Sequence, residues 1–466
     1  MVKNNYKAVS DSKDNLVESN DGQICDEPQT PRIEMLSGTR FLAALWIACQ
    51  HFVPHAKNGI LIKVLWRSNV GVDYFIILSG FVTHWASRKR TSIFQSCILS
   101  FEGAYRRKER SGLLSFYIRR FGRVLMTTWL SIIFAIIILK IGNVQGELGL
   151  GHVFRCILFI ETWIQPNHWC PNGQTWTVAA LVPSWLLYPF FTGPILIKIN
   201  NQKYLICLAL FCIFIPLFQI LRLHYLHDKN NNLFLSSLDH NYLYLWPPSQ
   251  FCDFVLGALS AEISGRHMDK NKYDVVESNL QTKLYGNCAD ICVIIFMIIC
   301  FFVPNPNLRY RSGFEPVIFD HGLAPLLAFF LGFSALDSKI RSSIFGRICS
   351  HPALTALGSC SFEVYLFQWP LHTIFTYLGL PTNDNNGQNF VAFLLTLWFL
   401  SSLYEIYIER PFVAWLRHVV PPPQVILTNK EDDEEQQEHL ESSSSLCDDG
   451  EREGRKEEKK KEEEVM

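Results

Sequence analysis

The sequence predicts an all-α protein, a polytopic bundle of about ten transmembrane helices. Of the 466 residues, 49% are hydrophobic and 14% are aromatic, which is too apolar for one soluble domain. Apolar runs recur at residues 125–139, 205–221, 291–303, 323–336 and 390–403. Some are shorter than the roughly 20 residues that a spanning helix needs. Each continues into polar or aromatic residues that suit the headgroup region or a bundle interior.

The predicted spans follow one another through residues 34–418, which we interpret as a single membrane domain. They lie at about 35–55, 70–87, 124–141, 176–198, 203–221, 245–263, 289–303, 323–336, 354–378 and 390–409. The segment His152–Ile164 is too short to span comfortably, so we expect it to be re-entrant or interfacial.

Basic side chains orient the bundle. Residues 88–123 contain ten Lys and Arg side chains against Glu102 and Glu109. Because cytosolic loops carry the excess of basic residues, this loop is predicted to face the cytosol. Ten crossings then place both termini in the cytosol as well. Arg309 and Arg311 fall on the opposite side and are exceptions to the bias.

The two ends of the chain differ from the membrane domain. Residues 1–33 are polar and lack the basic start and apolar core of a signal peptide, so they are predicted to be a disordered cytosolic segment. Residues 419–466 form a second disordered cytosolic segment, because from residue 430 onward there are 16 acidic and 7 basic side chains. The 14 cysteines are scattered without metal-ligand spacing, so we expect neither a disulfide nor a zinc site.

The first helix has a polar face. Arg40 and His51 close the two ends of an apolar run, and eleven residues are about three helical turns. Both side chains therefore fall on nearly the same face, roughly 16 Å apart along the axis. Within a bilayer they should point into the protein interior or a wet cavity, because ionisable groups are costly in lipid. The alternative is that they are ordinary flanking residues at the two interfaces.

Two other spans contain acidic residues. Asp73 lies in the apolar run of the second helix, where packing of small residues is the simplest interpretation of Gly80. In the last span, Glu405 and Glu409 are four residues apart and share one face. An ion pair between Glu409 and Arg40 near the inner leaflet is a structural alternative to a functional role for Arg40.

Six short motifs occur in order along residues 36–416. They are Arg40-x10-His51, Gly71-Val-Asp-Tyr-Phe-Ile-Ile-Leu-Ser-Gly-Phe81, Tyr117-Ile-Arg-Arg-Phe-Gly-Arg123, Phe251-Cys-Asp-Phe-Val-Leu-Gly257, Gly358-Ser-Cys-Ser-Phe-Glu-Val-Tyr-Leu366 and Tyr407-Ile-Glu-Arg-Pro-Phe412. Together they resemble the motifs of the acyltransferase 3 family, membrane O-acyltransferases that modify sugars and polysaccharides. Each motif alone is weak evidence for the family, because short patterns of this kind arise easily by chance. Their common order, together with ten predicted spans, carries the resemblance.

The chain departs from the family pattern at two positions. The family usually has Trp-Ser-Leu-x-x-Glu before an aromatic stretch, whereas here Leu181 stands where the Glu would be. The family often places a His after its Ser-Tyr-x-x-Tyr-Leu segment, and here Gln368 occupies that place. His372, one turn further on, is either a substitute or an interfacial histidine. Both changes bear on acceptor specificity and on activity.

The resemblance implies acyl transfer from a cytosolic acyl-CoA, often acetyl-CoA, with no bound cofactor and no metal. The implied acceptor is a hydroxyl, such as that of a glycan, and the other partner is the lipid bilayer rather than nucleic acid. Arg40 suits the anionic donor, because a guanidinium binds phosphate bidentately and keeps its charge. His51 suits the role of general base, because an imidazole titrates near working pH. Further candidates for contacts with the oxyanion or the substrates are Asp73, Ser79, Trp176, Gln368 and Glu409.

Two other classes of function remain open from the sequence. In a transporter or channel, Arg40, His51, Asp73 and Glu409 would line a path through the membrane. Internal repeats would favour that class, and the two halves of the chain show no convincing similarity. A non-catalytic relative of the family is the second alternative, which the absence of the Glu at Leu181 makes plausible.

Overall fold

The described part of the chain is helical and contains no β-strand, as expected for an all-α protein. The computed structural model describes residues 33–53, 64–89, 107–142, 149–164, 170–229, 244–270, 278–303, 318–337, 342–382 and 387–420. The two predicted disordered segments fall outside these ranges, except for residues 33, 419 and 420. Residues 90–106 of the predicted cytosolic loop also lie outside them.

The helices are numbered here in chain order. They are α1 (Met35–Phe52), α2 (Asn69–Ser87), α3 (Arg107–Ile141), α4 (Leu150–Ile157), α5 (Glu161–Ile164), α6 (Trp176–Leu187), α7 (Gly193–Lys198), α8 (Gln202–Lys229), α9 (Pro247–Lys270), α10 (Ser278–Phe302), α11 (Ala324–Leu336), α12 (Ile344–Cys349), α13 (Pro352–Ser359), α14 (Ser361–Tyr377), α15 (Gly387–Tyr404) and α16 (Arg410–Val419). Turns of π-helix lie between α6 and α7, before α11 and between α15 and α16, at Tyr188–Thr192, Ile318–Gly322 and Glu405–Glu409.

Six helical stretches in the described ranges are long and apolar enough to cross a membrane. They are Leu113–Ile141, Gly173–Lys198, Gln202–Gln219, Gln281–Phe302, Ile318–Leu336 and Gly387–Val419. These six coincide with six of the ten predicted spans. The other four predicted spans fall on α1, α2, α9 and the α13–α14 pair, which are not among these six. The count of ten therefore stays a prediction.

The helices divide into outer and central ones. On α3, α8, α10 and α15, large apolar side chains such as Ile133, Phe214, Ile294 and Leu395 are exposed. Apolar outer surfaces of this kind match the hydrocarbon of a bilayer. By contrast, most of α2 and the first two thirds of α9 are buried. The polar side chains considered below lie mainly on these central helices and on α1 and α14.

Two glycines allow α2 and α9 to touch backbone to backbone. A Cβ added to Gly80 would overlap the carbonyl oxygen of Phe254, and a Cβ added to Gly257 would overlap the carbonyl oxygen of Ile77. Small residues let helices approach closely in membranes, where the hydrophobic effect does not drive association between helices. The interpretation of Gly80 as a packing residue is therefore confirmed.

Arg67 caps the carboxyl-terminal end of α10. Its buried guanidinium donates to the carbonyl oxygens of Cys300 and Val303, and it lies 4.3 Å from the ring centroid of Phe319. The last carbonyl groups of a helix have no partner within the helix, and the helix dipole favours a cation there. This arginine thus ties the start of α2 to α10 and to the turn before α11.

Candidate active site

Both members of the predicted polar pair lie on α1. The guanidinium of Arg40 donates to Ser37 Oγ one turn earlier (3.2 Å). The neighbouring Thr39 shares a 2.5 Å hydrogen bond with Tyr74 Oη, which ties this end of α1 to α2. His51 lies in the last turn of α1. The helix therefore places a cation near its amino end and an imidazole near its carboxyl end.

Side chains of α14 surround His51. Gln368 interacts with the imidazole, and the ring of Trp369 lies 6.4 Å from it, edge to face. His372 is stacked on Phe52, with ring centroids 4.4 Å apart. The structure thus brings His51 together with Gln368 and His372, the two α14 residues that the sequence singled out.

Three polar atoms of this group have no hydrogen-bond partner among the described residues. They are His51 Nδ1, Gln368 Oε1 and His372 Nε2, and all three are buried. A buried polar atom without a partner costs about 1–3 kcal/mol, so most such atoms in native proteins are paired. An imidazole nitrogen that no protein group occupies is available to a hydroxyl of a substrate. Aromatic walls with a few convergent polar atoms are typical of a small-molecule site.

Pro370 and Asn172 fix the shape of α14 at this level. A proline within a helix cannot donate to the carbonyl four residues earlier, which here is that of Leu366. Asn172 Nδ2 donates to this carbonyl instead, at 2.8 Å, and also to Ser131 Oγ of α3 at 3.0 Å. Asn172, which lies shortly before α6 in the chain, therefore links α3 to α14. The carbonyl that it binds on α14 is two residues before Gln368.

Ser79, predicted as an oxyanion contact, lies in a different environment. Its hydroxyl oxygen accepts from Arg120 (2.6 Å) and from the indole of Trp185 (3.0 Å). The guanidinium of Arg120 also lies 4.8 Å from the ring centroid of Trp185. The hydroxyl is thus held by two donors from α3 and α6, an arrangement that positions Arg120 within the bundle.

Asp73 and Trp176 belong to a further group of contacts. Asp73 lies with Asp253 of α9 and His321 of the turn before α11, in a cluster described below. The ring of Tyr244 lies 5.2 Å from Trp176 and 6.4 Å from His321. Tyr244 thus connects Trp176 to this cluster rather than to His51.

The two glutamates of the last span have separate partners. Glu409 is ion-paired with Arg123 of α3, and Glu363 of α14 lies beside it. Glu405 accepts from Ser359 Oγ (2.8 Å) and from Arg410 (3.1 Å). The ion pair of Glu409 therefore joins α3 to the turn between α15 and α16 and gives this residue a structural role.

The expectation that the chain has no disulfide is wrong. Cys156 and Cys170 are bonded, with Cα atoms 5.8 Å apart and a sequence separation of 14. Scattered cysteines give no pairing signal, because a disulfide depends on proximity in space. Disulfides persist on the oxidising side of a membrane. This bridge lies between the third and fourth predicted spans, where the charge bias predicts the non-cytosolic side.

Glu161 is a buried acid that the sequence reasoning missed. It lies on α5, between two spans, and neither carboxyl oxygen has a hydrogen-bond partner within the described ranges. Burial raises its pKa to about 8. The short helix α5, which carries Glu161, packs on α6, the helix that carries Leu181. The available signal was an acid in the run Leu158–Ile164, which is otherwise apolar except for Thr162.

Comparisons with known proteins identify relatives of the chain. A family model described as an acyltransferase domain, acyltransferase 3, matches residues 34–405. The chain is also similar to a peptidoglycan O-acetyltransferase of Listeria monocytogenes, with 21% identity over 397 residues. That match covers 81% of this chain and 55% of the relative, so the chain spans about half the length of the relative. No solved structure matches. The family match includes every candidate residue above except Glu409.

Proposed function

Because this chain belongs to the acyltransferase 3 family, we propose that it is a membrane-bound O-acyltransferase. It moves an acyl group, in the simplest case acetyl, from acyl-CoA to a hydroxyl of a carbohydrate or a lipid-linked sugar. The similarity to a peptidoglycan O-acetyltransferase supports an acetyl donor and a glycan acceptor. Both the acyl-CoA donor and the carbohydrate acceptor are therefore proposed on the basis of this similarity.

The observation that carries the proposal is the group of His51, Gln368 and His372 with three unoccupied polar atoms. In the proposed reaction, the acceptor hydroxyl attacks the thioester carbonyl carbon while His51 takes the hydroxyl proton. A carbon–oxygen bond forms and the carbon–sulfur bond breaks. The proton passes from the imidazolium to the departing thiolate, so coenzyme A leaves as the free thiol.

Gln368 and Trp369 are assigned to binding. The amide of Gln368 donates to the carbonyl oxygen of Tyr365 (3.1 Å), and in the proposed complex its side-chain carbonyl oxygen, beside His51, would accept from a substrate hydroxyl. The ring of Trp369 is 44% exposed and offers an apolar face beside His51. A flat apolar ring with a few polar neighbours suits a sugar, which has both apolar C–H faces and hydroxyls.

Arg40 is assigned to the donor. A guanidinium at the other end of α1, roughly 16 Å from His51 along the axis, is separated from it by a distance that an extended pantetheine arm can bridge. The phosphates would then lie at the cytosolic end and the thioester near His51. The positive-inside bias and the position of the Cys156–Cys170 disulfide both support this orientation.

The deciding experiment uses the full chain in detergent or proteoliposomes with acetyl-CoA labelled in the acetyl group. Glycan fragments and lipid-linked sugars serve as acceptors, and the readouts are label transfer and release of coenzyme A. We expect transfer by the native protein, loss in His51→Ala, and retention in His351→Ala. His351 is a matched control because it caps α13 and lies in none of the contacts above.

Other outcomes would favour the alternatives. Coenzyme A binding without transfer or hydrolysis would indicate a non-catalytic relative. Flux of protons or solute across the proteoliposome membrane, abolished by the same His51→Ala change, would indicate a transporter. Equal transfer by the native protein and His51→Ala would remove His51 from the mechanism.

A further inference from the structure

A second polar group lies in the bundle apart from His51. Asp73 of α2, Asp253 of α9 and His321 of the turn before α11 each place one ligating atom within 4.8 Å of the others. Their exposed fractions are 2%, 1% and 5%. Three elements that are distant in sequence thus converge on one buried point.

Two atoms of this group are open. His321 Nδ1 and Asp253 Oδ2 are hydrogen-bonded at 2.8 Å, whereas His321 Nε2 and Asp253 Oδ1 have no partner in the described part of the chain. With Nδ1 donating to the Asp253 carboxylate, loss of the proton on Nε2 would leave a lone pair there for a metal ion. That arrangement is the one in which a histidine ligates a metal through Nε2.

The His84–Glu262 pair provides a contrast within the same bundle. It is also a buried histidine and carboxylate, 2.7 Å apart through Nε2. Its other nitrogen, Nδ1, is hydrogen-bonded to Tyr188 Oη at 2.8 Å. Both nitrogens of His84 are therefore occupied by protein groups. His84, a structural histidine, thus has a protein partner on both ring nitrogens, whereas His321 has one on Nδ1 alone within the described residues.

The charges of the group also point to a cation. The carboxyl groups of Asp73 and Asp253 lie with the His321 imidazole at one buried point, where negative charge is costly unless it is balanced. A divalent cation would neutralise both and occupy the open atoms. Mixed imidazole and carboxylate donors suit zinc and neighbouring transition metals, whereas calcium and magnesium prefer oxygen donors alone.

The surrounding contacts hold the group rigidly. Asn69 Nδ2 donates to Asp320 Oδ1 (2.6 Å) and to the carbonyl oxygen of Phe319 (2.8 Å), which fixes the turn that carries His321. Tyr244 Oη donates to the carbonyl oxygen of Asn69 (2.9 Å). The turn itself is π-helical, and π-helical turns occur frequently at functional sites.

We propose that Asp73, Asp253 and His321 bind one divalent transition-metal ion, with zinc the best match to this donor set. Three protein ligands leave a coordination position open for water or a substrate oxygen. The proposal does not depend on acyl transfer, because occupancy by a metal is measured directly.

The test is metal analysis by mass spectrometry of the full chain purified without chelators. We expect about one equivalent of metal per chain, and we expect affinity to fall by roughly 100-fold or more in His321→Gln and Asp253→Asn. His84→Gln is the matched control and should keep its metal. After treatment with a chelator, zinc should raise the Tm of the native protein and not that of His321→Gln.

A second measurement keeps the test decisive if the variants do not fold. Cobalt added to the chelator-treated native protein should give a visible spectrum of nitrogen and oxygen ligation without a thiolate charge-transfer band. Such a band would assign the metal to one or more of the free cysteines rather than to Asp73, Asp253 and His321. A thiolate spectrum, or no bound metal and no effect of added zinc, manganese or cobalt on the Tm, would overturn the proposal.

Discussion

Replacing Cys156 and Cys170 together with serine removes the one covalent link that the structure shows between distant positions of the described chain. The bridge closes a loop of about 15 residues, and the chain-entropy model assigns about 3 kcal/mol to a loop of that length. Both cysteines are almost fully buried. The double variant should therefore open the segment from α4 to α5 more often without unfolding the whole bundle.

A change of about 3 kcal/mol corresponds to a factor of roughly 150 in the population of the open state. Hydrogen exchange measures this directly, because amides of residues 157–164 exchange through local opening. Their exchange should be faster by about that factor in the double variant, while amides of α2 and α9 should exchange as in the native protein. Cys207→Ser, at an exposed free cysteine, is the control.

Two results would refute the reasoning. Mass spectrometry of unreduced, alkylated native protein could find Cys156 and Cys170 carrying the alkylating group, which would mean that they are free thiols. Exchange of residues 157–164 could also be unchanged in the double variant, which would mean that the bridge does not restrain the segment. The first result would also remove the support that the disulfide gives to a non-cytosolic location.

Four further predictions follow from the contacts described above. His51→Ala should lower acyl transfer roughly 10²–10⁴-fold with little change in Tm, as measured by label transfer from acetyl-CoA, and an unchanged rate would contradict its role. Arg40→Lys should weaken coenzyme A binding in calorimetry while preserving the Tm, since a point charge cannot make two parallel hydrogen bonds; equal affinity would exclude the anchor role. Gly80→Ala should cost roughly 1–3 kcal/mol or more in thermal unfolding because its Cβ meets backbone, whereas Gly387→Ala, where a Cβ meets nothing within 4 Å, should not. Burial raises the pKa of Glu161 to about 8, above its ordinary value of 4.5. Between these two pKa values the folded chain keeps a proton that the unfolded chain loses, so stability should fall as pH rises from 4.5 to about 8. Glu161→Gln should flatten the profile of Tm against pH in this range, and an unchanged profile would contradict the pKa shift.

Local patterns in the sequence predicted the elements that depend on local rules. The apolar run between Arg40 and His51 is a helix, and Gly80 lies where two backbones touch, because helix period and residue size act over a few residues. The sequence also picked out Gln368 and His372 by their place in a motif. The contact between α14 and His51 is tertiary, and only the structure shows that these residues lie together.

What the sequence missed depends on proximity between distant segments. Cys156 pairs with Cys170 because the fold brings their Cα atoms to 5.8 Å of each other, which their sequence positions do not indicate. His321 stands alone in sequence, and nothing near it indicates that Asp73 and Asp253 lie beside it. Asn172 is equally inconspicuous, since its role follows from the carbonyl that Pro370 leaves without a donor. Pairings of this kind require the packed bundle.

The buried histidines differ in whether both of their ring nitrogens have a protein partner. His84 has a protein partner on each nitrogen, so its contribution is to hold α2, α9 and the turn after α6 together. Arg67 acts in the same way at the end of α10, where it donates to carbonyl groups. His51 and His321 each keep one buried nitrogen open within the described chain. Stability of the fold alone would favour a protein hydrogen-bond partner for each of these nitrogens, because an unpaired buried polar atom costs free energy. The bundle gives both nitrogens of His84 a protein partner yet leaves a buried nitrogen without one, among the described residues, on His51, His372 and His321, and this contrast supports the two proposed sites at these histidines.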